Sequence, residues 1–171
     1  LIDDVDSIPF PAYDLFPIVH YRLLRAPLVE KKEFLLPMLS GRGCTFECTF
    51  CYRLDPGFRP RSNESILDEI KLLKKNYDIT YIMFGDDLLM SSPARTISLC
   101  EDFIRSRLNI KWNCNGRLNY AKPEVLQLMK KAGCVFINYG IESVDNEVLK
   151  NMKKGLASDQ IIRGVENTLN A

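Results

Sequence analysis

The chain has 171 residues, 46% hydrophobic and 26% charged, with 23 basic and 22 acidic residues giving a formal net charge of +1. This is the composition of an ordinary soluble domain with a sizeable core, and the mixed signs offer no basic field for nucleic acid or a membrane surface. No apolar run approaches the roughly 20 residues that span a bilayer, and no basic-then-apolar leader opens the chain, so the expected compartment is the cytoplasm and the expected partner a small substrate or a protein.

Residues 1–33 carry Pro9, Pro11, Pro17 and Pro27 among bulky apolar residues, without helical or strand period. Proline bars regular pairing, and the segment reads as an extended arm or a linker from a preceding domain. Residues 34–171 form the second unit. A start at Leu1 and a stop at Ala171, directly after a helical pattern, suggest a fragment.

From Phe34 onward short apolar runs alternate with amphipathic segments, the layout of sequential strand and helix units. Residues 34–39 are the first strand. Ser62 and Asn63 offer an N-cap for a helix burying Ile66, Ile70, Leu73 and Tyr77. Residues 80–84 are the second strand, and Pro93 opens a helix with Ile97, Cys100, Ile104 and Leu108 along its inner face. Residues 110–114 follow as a third strand. Pro123 starts a helix with Val125, Met129 and Ala132 inside and Gly133 as its stop, and residues 134–139 are the fourth strand. Helical pieces are expected near residues 145–152 and 158–169. Four such units fit either half of a parallel (βα) barrel or an open doubly wound sheet, and both bind ligands at the C-terminal ends of the strands.

The first strand-end loop is the most informative. Its sequence, SGRGCTFECTFCYRLDPG, holds Cys44, Cys48 and Cys51 in a C-x3-C-x2-C spacing. A structural zinc site would normally show a second pair of ligands. None is present here, since His20 lies in the arm and Cys100 on a buried helical stripe. Cys114 and Cys134 read as core thiols. In a reducing compartment six cysteines are thiols or ligands rather than a disulfide framework. Iron-sulfur clusters are held by thiolates, normally four for a four-iron cluster. Three leave one iron open to a substrate group. Beside the cysteines, Arg53, Arg59 and Arg61 make a local basic loop, read as a solvated face in preference to an electron-donor docking patch.

C-x3-C-x2-C with an aromatic, Phe50, before the last cysteine resembles the signature of the radical S-adenosylmethionine (radical SAM) enzymes. The resemblance implies an α/β fold, a partial parallel (βα) barrel of which about four of six strand-helix units are present. It also implies a 4Fe-4S cluster on Cys44, Cys48 and Cys51, with the open iron chelated by the amino and carboxylate groups of SAM. Reductive cleavage would then give methionine and a 5′-deoxyadenosyl radical, with the electron supplied by a flavodoxin-like or ferredoxin-like partner. MFGDD, residues 83–87, is similar to the family's GGE segment but keeps one glycine, Gly85, and offers Asp86 or Asp87 for the SAM amino group. YGIES, residues 139–143, is similar to the segment at the SAM ribose and carboxylate, making Glu142 and Ser143 candidates. In WNCNGRLN, Arg117 stands where a guanidinium pairs with a carboxylate. The family's glycine-rich fifth-strand motif, near the adenine, would lie beyond Ala171.

The arm IPFPAYDLFP, followed by GRGCTFECTFCYR, FGDDLL and MKKAGCVFINYGIES, resembles the subgroup with an N-terminal cobalamin-binding domain. The cobalt-ligating DxHxxG motif of that domain is absent here, so the resemblance implies cobalamin only for a longer parent protein, with methyl transfer or rearrangement as its reaction. The alternative from the residues alone is a non-catalytic module holding structural zinc or an electron-transfer cluster.

Overall fold

A computed structural model describes residues 1–23, 29–52 and 57–171. Pro27 of the arm and Arg53 of the basic loop lie outside them. The elements are α1 (Ile18–Tyr21), β1 (Leu35–Met38), β2 (Gly41–Cys44), β3 (Gly57–Pro60), α2 (Asn63–Tyr77), β4 (Tyr81–Phe84), α3 (Pro93–Ser106), β5 (Lys111–Gly116), α4 (Pro123–Lys131), β6 (Cys134–Tyr139), α5 (Asn146–Asn151) and α6 (Ser158–Asn170). Strands β1, β4, β5 and β6 pair in that order, all parallel. Each pair is joined through a helix, as parallel pairing requires. The four strand-helix units and the parallel sheet read from the sequence are therefore all present.

The helices start and stop where their end residues dictate. Ser62 caps α2 by accepting the Ser65 N–H, and Ser92 caps α3 by accepting that of Arg95. Pro93 and Pro123 occupy first helical positions, where no N–H is needed. Gly133 ends the α4 turn with φ +96°; a Cβ there would lie 2.3 Å from the Ile110 carbonyl oxygen.

The core fills the space between sheet and helices. Trp112 is fully buried, with Phe84 and Phe103 at ring-centroid distances of 5.8 and 5.7 Å, and its Nε1 donates to the Ala132 carbonyl at 2.9 Å. Ile66, Ile70 and Leu73 of α2, Val125 and Met129 of α4 and Ala132 at its C-cap are buried as expected, whereas Tyr77 is only half-buried. Helix α3 differs: its inner face is Thr96, Leu99, Cys100 and Phe103, and Ile104 is 42% exposed. The expected stripe is rotated by about one residue, because the larger Phe103 ring takes the contact with Phe84 and Trp112.

The sequence reading did not anticipate the antiparallel hairpin of β2 and β3, which frames the cysteine loop. The loop thus springs from a second strand and does not follow directly on the first. Gly41 permits this pairing, since a Cβ would meet the Phe58 ring at 2.9 Å.

The arm packs on this same body. Val5 and Ile18 are buried, Asp6 accepts the Ser62 N–H at 2.9 Å, and Tyr13 Oη donates to Glu69 Oε1 at 2.6 Å. Arg61 is part of that contact and is not solvated: it pairs with buried Glu69 Oε2 at 2.5 Å and donates to the Leu39 carbonyl at 2.9 Å. No helix among the described residues is long and apolar enough to cross a membrane.

Candidate functional site

The pairings Met38 with Phe84 and Gly116 with Tyr139 bring the C-terminal ends of the four parallel strands to one rim. The loops that leave this rim carry the residues singled out in the sequence.

The cysteine loop is pinned by local hydrogen bonds. The Cys51 N–H donates to the Cys48 carbonyl at 3.2 Å, and the Thr49 N–H donates across to the Met152 carbonyl at 2.9 Å. Cys44 and Cys48 are half-buried, Cys51 is exposed, and all six cysteines are free thiols. Cys100, Cys114 and Cys134 are buried in the core. Burial pushes the Cys100 thiol up to about 12, and a hydrogen bond with Cys134 followed by burial raises Cys114, so neither is a nucleophile. Among the described residues no three Cys, His, Asp or Glu side chains are placed to hold one metal ion. Three unpaired thiols on one loop are the donor type that holds iron-sulfur clusters.

At the end of β4 the two aspartates separate. Asp86 is 2% exposed, and its Oδ1 accepts the N–H groups of Ser40 and Gly41, each at 2.7 Å. It thereby fixes the turn between β1 and β2, on the approach to the cysteines. Burial raises its pKa from 3.8 to about 6, against the lowering effect of the Gly41 and Ser40 bonds and of Arg95. Arg95 Nη2 donates to the Ser40 carbonyl at 2.6 Å, completing the brace. Asp87 is exposed, as is Gly85, whose N–H donates to the Met38 carbonyl at 2.9 Å.

Arg117, after β5, is 7% exposed and is not a surface ion-pair residue. It donates to the carbonyl oxygens of Lys154 and Gly155, and its guanidinium carbon lies 3.4 Å from the Phe46 ring centroid. Both carbonyl bonds come from Nη2, and Nε donates to Asn119 Oδ1 at 3.4 Å. Cys48 is within hydrogen-bonding reach of the guanidinium and Cys44 within electrostatic range; burial holds the Arg117 pKa below its ordinary value while these sulfurs act in the opposite sense.

Glu142, in the loop after β6, adopts φ +63°, unusual for a residue with a side chain. Its Oε1 accepts from Lys154 Nζ at 3.1 Å. That ammonium, on a residue 7% exposed, also lies 5.3 Å from the centroid of the exposed Phe50 ring. Ser143 Oγ accepts the Asp145 N–H at 3.0 Å, and Asp145 caps α5. Phe50, Lys154 and Glu142 thus meet, and Arg117 joins them through the Lys154 backbone. Gly85, Asp86 and Asp87 stand on the neighbouring loop.

Sequence reasoning missed Phe46, Arg95 and Lys154. Phe46 had a signal, an aromatic residue between two cysteines of the motif. Arg95 and Lys154 had none, because Arg95 donates to a backbone carbonyl 55 positions away and Lys154 meets Glu142 and Phe50 only through the fold. An apolar cavity of about 330 Å³ between arm and β1, lined by Phe10, Tyr13, Met38 and Gly85 among others, does not reach the cysteines.

Comparison with known proteins gives a consistent result. The family model described as the radical SAM superfamily matches residues 38–171. An uncharacterized methyltransferase of Pyrococcus horikoshii is 31% identical over 97% of this chain and 35% of its own length. The bacteriochlorophyllide d C-12(1)-methyltransferase of Chlorobaculum tepidum is 31% identical over 77% of this chain and 30% of its own. Among solved structures, the cobalamin-dependent S-adenosylmethionine radical enzyme OxsB, determined with aqua-cobalamin and S-adenosylmethionine bound, superposes with a TM-score of 0.67. It is 26% identical and covers 78% of this chain and 22% of its own. The chain thus spans about a third of the length of these curated relatives.

Proposed function

Since the chain belongs to the radical SAM superfamily, whose cofactors are a 4Fe-4S cluster and SAM, we propose that Cys44, Cys48 and Cys51 hold the cluster and leave one iron for SAM. The observation that carries this is the set of three unpaired thiols on one loop at the C-terminal rim of the sheet. When bound, such a cluster supplies one electron to the sulfonium of SAM, breaking a C–S bond to give methionine and a 5′-deoxyadenosyl radical.

The chain's own residues position the reactants. Asp87, exposed beside Gly85, receives the SAM amino group in this proposal. Asp86 is assigned the structural role instead, because it is 2% exposed and its Oδ1 holds the Ser40 and Gly41 N–H groups. Glu142 and Ser143 face the ribose and carboxylate side, with Glu142 held by Lys154. Phe50, beside that ammonium and next to Cys51, would shield a bound cluster from water. Two carboxylates at separate strand ends fix both ends of a charged ligand, and bound geometry of this kind supplies much of a rate enhancement.

The electron comes, in this reading, from a flavodoxin-like or ferredoxin-like protein, and the compartment is the cytoplasm, where exposed Cys51 stays reduced. The relatives named as methyltransferases, and the cobalamin-dependent neighbour, support methyl transfer involving cobalamin as the reaction of the protein as a whole.

The test is anaerobic reconstitution with iron and sulfide. The expected result is a cluster whose EPR spectrum changes when SAM is added. Tight zinc binding with no response to SAM would replace this reading with that of a structural module.

A further inference from the structure

We propose that Arg117 sets the reduction potential of the cluster by holding a positive charge against the loop that carries its thiolates. The inference rests on the cluster assignment made above and adds an electrostatic role for Arg117 beside the cysteine loop.

Three features of the geometry carry it. The guanidinium lies 3.4 Å from the centroid of Phe46, the residue between Cys44 and Cys48, so it rests on the loop itself. Its Nη2 donates to the carbonyl oxygens of Lys154 and Gly155 and its Nε to Asn119 Oδ1, neutral acceptors that hold the group without cancelling its charge. The same stretch of chain is tied to the loop a second time, through the Thr49 N–H and the Met152 carbonyl at 2.9 Å. A buried arginine is costly to maintain without a counter-charge. Thiolates on Cys44 and Cys48 would supply it.

Adding one electron to a thiolate-bound cluster adds one negative charge beside this cation. The attraction is strengthened by the low dielectric of a buried site. Hydrogen bonds to cluster sulfurs and local charge are established levers on potential. Arg117 therefore favours the reduced form and eases electron delivery. Its planar fork, stacked on a ring, cannot be reproduced by a lysine.

The test is an EPR-monitored redox titration of the purified protein, reconstituted anaerobically with iron and sulfide, compared with Arg117→Gln and Phe46→Leu. Arg117→Gln is expected to shift the equilibrium toward the oxidised cluster at least tenfold, a fall of 59 mV for a one-electron couple. Phe46→Leu, which leaves the charge but removes its ring support, is expected to shift it about threefold in the same sense. Equal potentials in all three proteins would overturn the proposal. If Arg117→Gln holds no cluster, Phe46→Leu decides, and a wild-type potential there overturns it. Iron and sulfide content separates the two levels: a wild-type protein that binds no cluster refutes the cluster assignment itself.

Discussion

Replacing Asp86 and its neighbour Asp87 separately by alanine distinguishes a structural acid from a binding one. In Asp86→Ala the N–H groups of Ser40 and Gly41 lose an acceptor that lies 2.7 Å from each. Each buried donor left unpaired costs about 1–3 kcal/mol, and buried Arg95 loses a nearby counter-charge. The expected destabilisation is about 3–5 kcal/mol at pH 4, where the folded-state carboxyl is still protonated, and is smaller at pH 7, where alanine also removes the cost of burying the charge. With a urea m-value of about 2 kcal/mol/M the unfolding midpoint at pH 4 should fall by about 2 M. Asp87→Ala should stay within about 0.5 kcal/mol of wild type, because the side chain is exposed. It should instead weaken SAM binding, measured by equilibrium dialysis on the reconstituted protein, by roughly tenfold to a hundredfold, the loss of one charged hydrogen bond. An Asp86→Ala protein that unfolds at the wild-type midpoint at pH 4 would refute the bracing role. Unchanged SAM affinity in Asp87→Ala would refute the assignment of the binding acid.

Three further outcomes follow from the same geometry. Because the folded pKa of Asp86 stands at about 6, above the ordinary 3.8, the native state binds this proton more tightly than the unfolded chain. Its contribution to stability is therefore fully present below 3.8 and is lost as pH rises through about 6, by about 3 kcal/mol in all; urea midpoints from pH 4 to pH 7 should show this fall, and Asp86→Asn should flatten it. Cys48→Ala should abolish cluster formation while Cys100→Ala, altering a buried core thiol, leaves it intact; equal iron content in the two variants, high or low, would contradict the ligand set. Gly133→Ala should destabilise the fold by on the order of 3 kcal/mol, since φ is +96° and the new Cβ meets the Ile110 carbonyl oxygen; a thermal midpoint equal to wild type would show that the turn between α4 and β6 relaxes.

Hydrophobic periodicity was sufficient to find the four parallel strands and the helices between them, because three strands are short apolar runs, β5 buries every second residue, and each of these helices opens on a proline or a serine cap. It failed on the hairpin of β2 and β3, whose segments GRGC and GFRP contain glycine, arginine and proline where a strand signal needs alternating β-branched or aromatic residues. It failed by one residue on α3 because periodicity does not weigh side-chain size, and Phe103 outcompetes Ile104 for the contact with Trp112. At the site, residue type and spacing pointed to the cysteines. Burial, which sequence does not encode locally, separated Asp86 from Asp87. The Nη2 partners of Arg117 were illegible for another reason: they are backbone carbonyls 37 and 38 positions away, and a carbonyl carries no sequence signature.

The central claim, that three cysteine thiolates leave an open iron to which SAM binds, is tested most directly by electron-nuclear double resonance of the reduced, reconstituted protein with SAM labelled with 15N at its amino group. A 15N hyperfine coupling to the cluster, lost in Cys48→Ala together with the cluster signal, is the predicted result. A reduced cluster that shows no 15N coupling with saturating SAM present would contradict it.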